Sequence, residues 1–364
     1  DKLRQSSEAS AWPDVKWLCT DRLAPSETLS EWYAPEPNAP AFLQYTSGST
    51  GRPRGVVITH ASLEHQLAMY RDDLHFGPNA RMVFWVPPYH DLGLISGILA
   101  AIAGHGEATM ISPLSFLKRP SIWPEALHEF QATHTAAPNF AYDMVVRKTS
   151  PKQRAAWDLS ALQVVLSGGE PVRPKTVRAF MDAFATSGLR PEVFCPAYGL
   201  AEHSVCVTVE GRSALLVNKH LEVGRPVSIL DFDDSDRSLE LMGCGVPKAD
   251  VDVRIVDPVT FRSLAESYVG EIWVDSPSKA AGYWDDAEGT ERCFHAQIAG
   301  QPSASGYLRT GDLGFLRDGE LYVCGRLKDV VIVGGHNVFP HDIEDTVRGL
   351  HPQIRPGGVL SLIH

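Results

Sequence analysis

Short apolar runs alternate with longer amphipathic stretches between residue 41 and about residue 200. The apolar runs are rich in β-branched residues and have the length of strands, whereas the stretches between them place apolar residues at helical spacing. Such alternation predicts a mostly parallel sheet covered by helices. The predicted strands are Phe42–Thr46, Met82–Val86, Ala108–Ile111, Thr133–Ala137, Val164–Ser167 and Val193–Pro196. The predicted helices cover residues 60–73, 92–104, 121–131, 139–149 and 174–186.

The pattern changes after residue 205. Glycines and short β-branched runs dominate there and few stretches have helical spacing, so we predict a β-rich subdomain carried on the α/β part. A helix is expected to begin at Pro340, because the fixed φ of proline suits a first helical turn. The first 40 residues are polar and studded with prolines, which is typical of a linker. The strand patterns of the β-rich part are Val251–Val256, Glu271–Val274, Leu321–Cys324 and Val330–Val333.

The composition is that of an ordinary globular protein, with 364 residues, 44% of them hydrophobic and 21% charged. The formal net charge of −11 argues against nucleic acid as a partner, since bulk binding of nucleic acid needs positive charge. The six cysteines are scattered without a C-x-x-C pair, which is typical of a reduced protein, and no apolar run is long enough to predict a membrane span. A cytoplasmic enzyme is therefore the expectation.

Both ends of the chain suggest a piece of a longer protein. The chain begins on Asp1 rather than on methionine, and it stops within an apolar run at residues 359–364. Residues 360–364 also match one reading frame of a common sequencing adapter, which favours an artefactual tail; a natural end is the alternative.

Residues 45–56 carry the strongest candidate chemistry. Their sequence, YTSGSTGRPRGV, combines hydroxyls, glycines and a cation between two apolar runs. The glycines allow consecutive backbone N–H groups to converge on an anion, and Arg54 adds a permanent positive charge. The stretch is not a P-loop, because a strand pattern rather than a helix follows it. We interpret it as a polyphosphate-binding loop; a solvated Ser/Gly hairpin is the alternative.

The order of residues in this loop resembles the phosphate-binding loop of the adenylate-forming superfamily, which includes acyl-CoA synthetases, luciferases, adenylation domains and fatty acyl-AMP ligases. Its members use ATP and Mg²⁺ to convert a carboxylic acid into an acyl-adenylate and pyrophosphate. Arg54 stands where the superfamily usually has lysine, so a planar guanidinium group replaces a compact ammonium group. The residues that the resemblance implies for phosphate binding are Thr46, Ser47, Gly48, Ser49, Thr50 and Gly51.

A second motif, YGLAE at residues 198–202, resembles the superfamily's adenine and metal site. The resemblance implies that Tyr198 packs on adenine and that Glu202 holds Mg²⁺, a hard ion that takes one or two carboxylates plus phosphate oxygens. Gly199 is expected to allow a tight turn between them. Taken alone, such a pair is more often structural, and Ala201 replaces the usual threonine. The residues implied to line the adenine are Gly168, Gly169, Glu170, Pro171, Tyr198 and Gly199.

The segments Leu308–Gly314 and Gly325–Asp329 match two further signatures of the superfamily. They imply that Asp312 binds both ribose hydroxyls, that Arg326 reaches ribose and phosphate, and that Lys328 is the hinge of a small C-terminal domain. A surface Asp in a turn and a salt-bridged Arg are the alternatives for each motif alone. The expected organisation is a linker or remnant at 1–40, an α/β core at 41–204, a β-rich subdomain at 205–325 and the start of the C-terminal domain at 326–364.

Residues 85–94, WVPPYHDLGL, resemble a segment of fatty acyl-AMP ligases in which the histidine borders the reacting carboxylate and the next helix lines the acyl tunnel. This implies a catalytic role for His90 beside Glu202 and Arg54; a plain neighbour of the helix N-terminus is the alternative. Asp91 is expected to cap that helix.

The resemblance implies a fatty acid as the substrate and the phosphopantetheine of an acyl carrier protein as the acceptor, in lipid, polyketide or lipopeptide biosynthesis. The twelve residues between Phe294 and Tyr307 match a shortened form of an insertion that hinders CoA use in fatty acyl-AMP ligases. An acyl-CoA synthetase is the first alternative. A nucleotide-binding pseudoenzyme, favoured by Arg54 and Ala201, is the second. The superfamily's first subdomain and the lysine of its C-terminal domain have no counterpart here, which adds to the expectation of a fragment.

Overall fold

A computed structural model describes residues 34–46, 53–234, 237–248, 250–333, 336–338, 343 and 347. The chain divides into two compact units, residues 1–36 and 37–364, and all features below lie in the second. The predicted helix start at Pro340 and most of the predicted linker lie outside the described residues. Within the described part of the chain, no helix is both long and apolar enough to cross a membrane.

A five-stranded parallel sheet forms the centre of the α/β part, in the order β4-β3-β5-β6-β7. The predicted α/β fold with a mostly parallel sheet is thereby confirmed, and strand ends differ from the prediction by one or two residues. The strands are β3 Arg81–Phe84, β4 Glu107–Met110, β5 His134–Ala137, β6 Val164–Ser167 and β7 Phe194–Pro196.

The first predicted strand does not belong to this sheet. Strand β1, Pro40–Thr46, pairs antiparallel with β2, Arg54–Thr59, in a separate hairpin. The loop between Thr46 and Arg54 is shorter than the dozen or so residues that a parallel crossover needs, so the two runs can pair only in opposite directions. The expectation that Phe42–Thr46 opens the parallel sheet is therefore wrong.

Strands β3, β5, β6 and β7 are buried on both faces, as β3 illustrates, whereas the edge strand β4 is largely exposed. Met82 and Phe84 pack into one apolar cluster, whereas Val83 and Trp85 pack into another on the opposite face. This alternation follows from the two-residue period of a strand, and burial on both sides explains the continuous apolar run.

Helices cover the sheet where the sequence predicts them, but three short ones were not predicted: Pro113–Lys118, Pro151–Arg154 and Ala287–Phe294. The predicted helix at 92–104 begins as a π-helix over Leu92–Leu99 and continues as an α-helix. In chain order the α-helices are α1 His60–Asp72, α2 Ala100–Ala103, α3 Pro113–Lys118, α4 Ile122–Glu129, α5 Asn139–Lys148, α6 Pro151–Arg154, α7 Pro174–Phe184 and α8 Ala287–Phe294.

The π-helix lies in very close contact with the preceding turn and with β3. A Cβ atom on Gly93 would lie 2.1 Å from the carbonyl oxygen of Pro87, and one on Gly97 would lie 2.7 Å from the ring of Phe84. Glycine is thus the residue that lets this helix approach the turn at 87–91. Asp91 accepts a hydrogen bond from the N–H of Leu92 at 2.6 Å, so the predicted cap is confirmed.

The part of the chain after residue 205 is rich in antiparallel strands, as predicted. Its largest sheet has the order β13-β14-β15-β16, and smaller sheets have the orders β12-β9-β8 and β10-β11. The strands are β8 Tyr198–Leu200, β9 Val205–Val209, β10 Ala214–Asn218, β11 Ser238–Met242, β12 Val246–Pro247, β13 Asp252–Val256, β14 Gly270–Asp275, β15 Leu308–Arg317, β16 Glu320–Arg326, β17 Val331–Val333 and β18 His336–Val338.

We predict that Gly93→Ala destabilises the protein by about 1–3 kcal/mol, because the added methyl group must displace the backbone of the 87–91 turn. Urea denaturation gives the free energy of unfolding. Gly77→Ala is the matched control, since nothing lies within 4 Å of a Cβ atom at that position. Equal stability of the two variants would contradict the close contact.

We predict a pH dependence of stability from His134, which is 1% exposed and hydrogen-bonded through Nε2 to the carbonyl of Leu74 at 2.7 Å. Burial lowers the pKa of His134 from 6.5 to about 4. Between these pH values His134 binds a proton in the unfolded state but not in the folded state. The free energy of unfolding therefore falls as the pH drops from about 6.5 to about 4.

In His134→Gln, denaturation between pH 7 and pH 4 should show a shallower loss of stability than in the wild type. The control is His105→Gln, which replaces an exposed histidine. An unchanged slope in His134→Gln would rule out this contribution.

Candidate active site

Three residues predicted to bind the nucleoside meet in one hydrogen-bonded group. The hydroxyl of Tyr198 donates to Oδ2 of Asp312 at 2.8 Å, and Nε of Arg326 donates to Oδ1 of the same carboxylate at 3.2 Å. Asp312 and Arg326 are directly opposite each other on β15 and β16. Asp312 is only 8% exposed, so the surface-turn alternative is wrong for it, whereas the salt-bridged alternative describes Arg326 correctly.

The charge of Asp312 is balanced within this group. Burial raises the pKa of Asp312, while the guanidinium of Arg326 and the hydroxyl of Tyr198 lower it. Burial also raises the pKa of Tyr198, so its phenol stays protonated and donates. A carboxylate, a phenol ring and a guanidinium, carried by strands of two different sheets, are thus placed side by side where a ligand could contact them.

A buried ion pair positions the segment that carries Asp312. Glu271 on β14 is 2% exposed and accepts from Nη2 of Arg309 at 2.8 Å and from the N–H of Gly311 at 3.2 Å. Gly311 has φ +74°, a value that favours glycine, and the next N–H, of Asp312, donates to Oγ1 of Thr310 at 3.0 Å. Arg309 lies within the motif at residues 308–314, whereas Glu271 was predicted only as the start of a strand. Their pairing follows from strand register and not from spacing along the chain.

A second group joins Glu202 to Arg54 through Tyr283. The hydroxyl of Tyr283 donates to Oε1 of Glu202 at 2.9 Å, and the guanidinium of Arg54 lies 4.8 Å from the centre of the Tyr283 ring. Burial, followed by the charge of Glu202, raises the pKa of Tyr283, so the phenol is a neutral donor. Sequence reasoning missed Tyr283; the aromatic pair Tyr283-Trp284 behind a glycine is a weak signal that could have drawn attention to it.

Backbone pairing brings these side chains together. The N–H of Val57 donates to the carbonyl of Gly282 at 2.9 Å, and the N–H of Trp284 donates to the carbonyl of Gly55 at 2.7 Å. The N–H of Ala280 donates to the carbonyl of Glu202 at 3.0 Å. Strand β2, the turn at 201–203 and the segment 280–284 are therefore held against one another.

The predicted phosphate-binding loop is flanked by described residues but is not itself described. Thr46 ends β1, Arg54 begins β2, and the two are paired in the hairpin register. The guanidinium of Arg54 is also 3.9 Å from Asp286, the N-cap of α8. The predicted phosphate-binding residues outside the described part are Ser47, Gly48, Ser49, Thr50 and Gly51.

The predicted adenine wall follows β6 and lies beside the strand that carries Tyr198. The N–H of Ala197 donates to the carbonyl of Ser167 at 2.8 Å, and a Cβ atom on Gly168 would lie 3.2 Å from the carbonyl of Ala197. Gly169 has φ +80°, and Glu170 accepts from the N–H of Phe140 at 2.5 Å. Gly169, Glu170 and Pro171 are exposed, so they are accessible to a ligand.

Gly199 does not form the predicted tight turn. It lies within β8, where a Cβ atom would be 1.7 Å from the carbonyl of Val205 on the paired strand β9. The expectation of a turn is wrong; glycine is required because the two backbones approach closely. The short 3₁₀ turn comes later, at Ala201–His203, and carries Glu202.

His90 lies at the carboxyl end of β3, in the turn before the π-helix. Its Nδ1 is 2.6 Å from Oδ1 of Asp91, and this hydrogen bond raises the pKa of His90. Gln44 on β1 donates to the carbonyl of Tyr89 at 3.1 Å, which ties the turn to the hairpin. The N–H of Leu92 lies 3.2 Å from the same Nδ1, so His90 also neighbours the helix N-terminus, as its structural alternative expects.

These turns follow β3, β6 and β7, whose carboxyl ends form one edge of the parallel sheet, where ligands of such sheets bind. Among the described residues, no group of three or more His, Cys, Asp and Glu could hold a metal ion by itself. The single carboxylate of Glu202 fits the way Mg²⁺ is held by one or two carboxylates with phosphate oxygens. Lys328, the predicted hinge, lies in the exposed 3₁₀ turn Leu327–Asp329 between β16 and β17.

Comparison with known proteins gives the family. The AMP-binding enzyme family matches residues 3–284, and the chain belongs to it. It is similar to a medium-chain-fatty-acid–[acyl-carrier-protein] ligase, JamA of Moorena producens, with 38% identity over 97% of this chain and 61% of the relative. It is also similar to the long-chain-fatty-acid–AMP ligase FadD26 of Mycobacterium bovis, with 38% identity over 85% of this chain and 54% of the relative.

The fold is shared with solved structures of the same group. A fatty acyl-adenylate ligase of Legionella pneumophila, in complex with acyl adenylate and pyrophosphate, superimposes with a TM-score of 0.77 and 39% identity. The superposition covers 88% of this chain and 56% of that protein. The resemblance to fatty acyl-AMP ligases is confirmed, and the chain spans little more than half the length of the relatives it matches.

Proposed function

We propose that the protein uses ATP to activate a medium- or long-chain fatty acid as an acyl-adenylate, with release of pyrophosphate. The observation that carries this proposal is the joining of Asp312, Tyr198 and Arg326 at one hydrogen-bonded centre. The three come from separate motifs of the sequence, and each has a chemical group suited to a nucleoside. The similarity to a fatty acyl-adenylate ligase supports the same activity.

The nucleoside end is assigned to the Asp312 group. A carboxylate accepts two hydrogen bonds, so Asp312 can bind the 2′- and 3′-hydroxyls of ribose in place of its present donors. The ring of Tyr198 and the turn Gly168–Pro171, of which Gly169, Glu170 and Pro171 are exposed, are assigned to the adenine. Arg326 is more exposed than Asp312, and from there it can reach ribose or phosphate.

The phosphate end is assigned to the loop that begins at Thr46 and ends at Arg54. Arg54 is a permanent cation whose side chain is 25% exposed, so its charge is weakly screened. Glu202 would hold Mg²⁺, which when bound neutralises phosphate charge and orients the phosphate oxygens. Tyr283 contacts both Glu202 and Arg54.

The reaction is a displacement at the α-phosphorus. An oxygen of the fatty carboxylate forms a bond to that phosphorus as the bond to the pyrophosphate oxygen breaks, and pyrophosphate leaves with the electron pair. The protein contributes mainly by positioning the reactants and balancing charge. His90 and the π-helix are assigned to the acyl end, where a donor on His90 would orient the carboxylate.

The acceptor is proposed to be the phosphopantetheine of an acyl carrier protein. The segment between Phe294 and Tyr307 folds back on itself, with two hydrogen bonds between the backbones of Ala296 and Tyr307 at 2.8 and 3.0 Å. Ile298, 2% exposed, anchors it in a cluster with Trp273. An insertion held in place by these contacts favours an acyl carrier protein over CoA as the acceptor. The similarity to JamA favours the same acceptor.

The proposal is tested with the full-length protein by ATP–pyrophosphate exchange over a series of fatty acids. Acyl transfer to a holo carrier protein and to CoA, measured side by side, separates the acyl-AMP ligase from the acyl-CoA synthetase. ATP binding without exchange for any acid would overturn the proposal in favour of a nucleotide-binding pseudoenzyme.

We predict that Glu202→Gln abolishes pyrophosphate exchange with little effect on folding, because the amide keeps the shape but lacks the charge that Mg²⁺ requires. The control is Glu192→Gln, an exposed residue just before β7, at the opposite edge of the parallel sheet. Near-normal exchange in Glu202→Gln would remove Glu202 from the metal role.

We predict that Asp312→Ala lowers the affinity for ATP roughly tenfold or more, since hydrogen bonds to a charged group contribute about 1.5–3 kcal/mol each. Fatty-acid affinity should change far less. Calorimetric titration with each ligand makes the comparison, and a folded Asp312→Ala variant that binds ATP as the wild type does would refute the ribose assignment.

A further inference from the structure

Tyr283 is held on three sides. Its hydroxyl donates to Glu202, and its ring face lies under the guanidinium of Arg54. Its ring also makes a T-shaped contact with the ring of Phe294, with an interplanar angle of 84° and 5.1 Å between the centroids. Its backbone N–H donates to Oγ1 of Thr290 at 2.9 Å. A side chain fixed in this way has little freedom to leave the carboxylate.

Glu202 depends on this contact for its orientation. Tyr283 is the hydrogen-bond donor recorded for the Glu202 carboxylate within the described part of the chain, and it occupies Oε1. Among the described residues, Oε2 has no hydrogen-bond donor and is available to a ligand. Without the phenol, a glutamate on a short 3₁₀ turn could rotate about its side-chain bonds or turn towards the nearby cation Arg54.

Arg54 and Glu202 both contact Tyr283, Arg54 at the ring face and Glu202 at the hydroxyl. A guanidinium beside a carboxylate would normally form a direct, bidentate ion pair. Here the cation lies over the aromatic face instead, and among the described residues the carboxylate that pairs with it is Asp286, at 3.9 Å. The ring lets the positive and the negative group face a ligand from neighbouring positions without neutralising each other.

We propose that Tyr283 is a positioning residue: it orients Glu202 so that Oε2 can bind the divalent cation of a metal–nucleotide complex, and it prevents Arg54 from pairing with that carboxylate. This inference rests on the proposed function for the role of Glu202. Hydrogen-bonding partners of metal ligands typically contribute about 10–100-fold to metal affinity.

The test compares Tyr283→Phe with a matched variant in the full-length protein. Tyr283→Phe removes only the hydroxyl and keeps the ring under Arg54. Tyr307→Phe removes a hydroxyl that donates to Oδ2 of Asp252 at 2.7 Å, a phenol–carboxylate contact in the β-rich part. The first readout is the dissociation constant of Mn²⁺ in the presence of a non-hydrolysable ATP analogue, followed by electron paramagnetic resonance. The second is the Mg²⁺ concentration that gives half-maximal pyrophosphate exchange.

We expect Tyr283→Phe to weaken Mn²⁺ binding roughly tenfold and to raise the Mg²⁺ requirement by a similar factor. Binding of the analogue in EDTA and the melting temperature should stay close to wild type. Tyr307→Phe should leave both metal readouts unchanged. If Tyr283 acts through Glu202, the double variant with Glu202→Gln should bind Mn²⁺ no more weakly than Glu202→Gln alone.

The role of Tyr283 is overturned if Tyr283→Phe leaves the Mn²⁺ affinity unchanged, or if Tyr307→Phe lowers that affinity as much as Tyr283→Phe does. It is overturned as well if the double variant loses as much Mn²⁺ binding free energy as Tyr283→Phe and Glu202→Gln lose together. It is also overturned if the wild type binds no Mn²⁺ with the analogue. A wild type that binds Mn²⁺ and the analogue but forms no adenylate refutes the proposed function instead, and the Mn²⁺ affinities of the variants still decide the role of Tyr283.

Discussion

Burial of strands β3, β5, β6 and β7 on both faces is the constraint on which the candidate site depends. Residues such as Phe84 and Trp85 pack on opposite sides of the sheet in two separate apolar clusters, and such close packing restricts movement of the strands. The turns that follow β3, β6 and β7 are therefore attached to firmly packed strands. Polar side chains on those turns can therefore be held within hydrogen-bonding distance of partners far away in the chain.

The site itself is formed where this rigid edge meets antiparallel strands. Tyr198 belongs to a strand of the small sheet β12-β9-β8, and its partner Asp312 belongs to β15 of the four-stranded sheet. Glu202 and Tyr283 are brought together because the segment 280–284 pairs with β2. Backbone hydrogen bonds thus hold the elements of the candidate site together, and side-chain hydrogen bonds add to them.

Close backbone approach is a second recurring feature. Gly93 lets the π-helix touch the turn that holds His90, and Gly199 lets β8 lie against β9 next to Tyr198. In both cases a methyl group would meet a carbonyl oxygen rather than a flexible side chain. These glycines let the backbone around the candidate site pack closely, and helices of the π type are often found at functional sites.

The sequence by itself determined the α/β class, the strands of the parallel sheet, the family and the residues proposed to contact the nucleotide. These features depend on residues that are close together in the sequence. A short apolar run identifies a strand such as Val164–Ser167, and short motifs identify Tyr198, Glu202 and Asp312. Only the tertiary structure decided that β1 pairs with β2 outside the main sheet, that Glu271 supports the Asp312 segment and that Tyr283 joins Glu202 to Arg54. Those contacts link residues far apart in the chain: Glu202 and Tyr283 are 81 positions apart, and Arg54 and Tyr283 are further apart still. Strand register and packing create them, and neither is encoded in the spacing of residues along the chain.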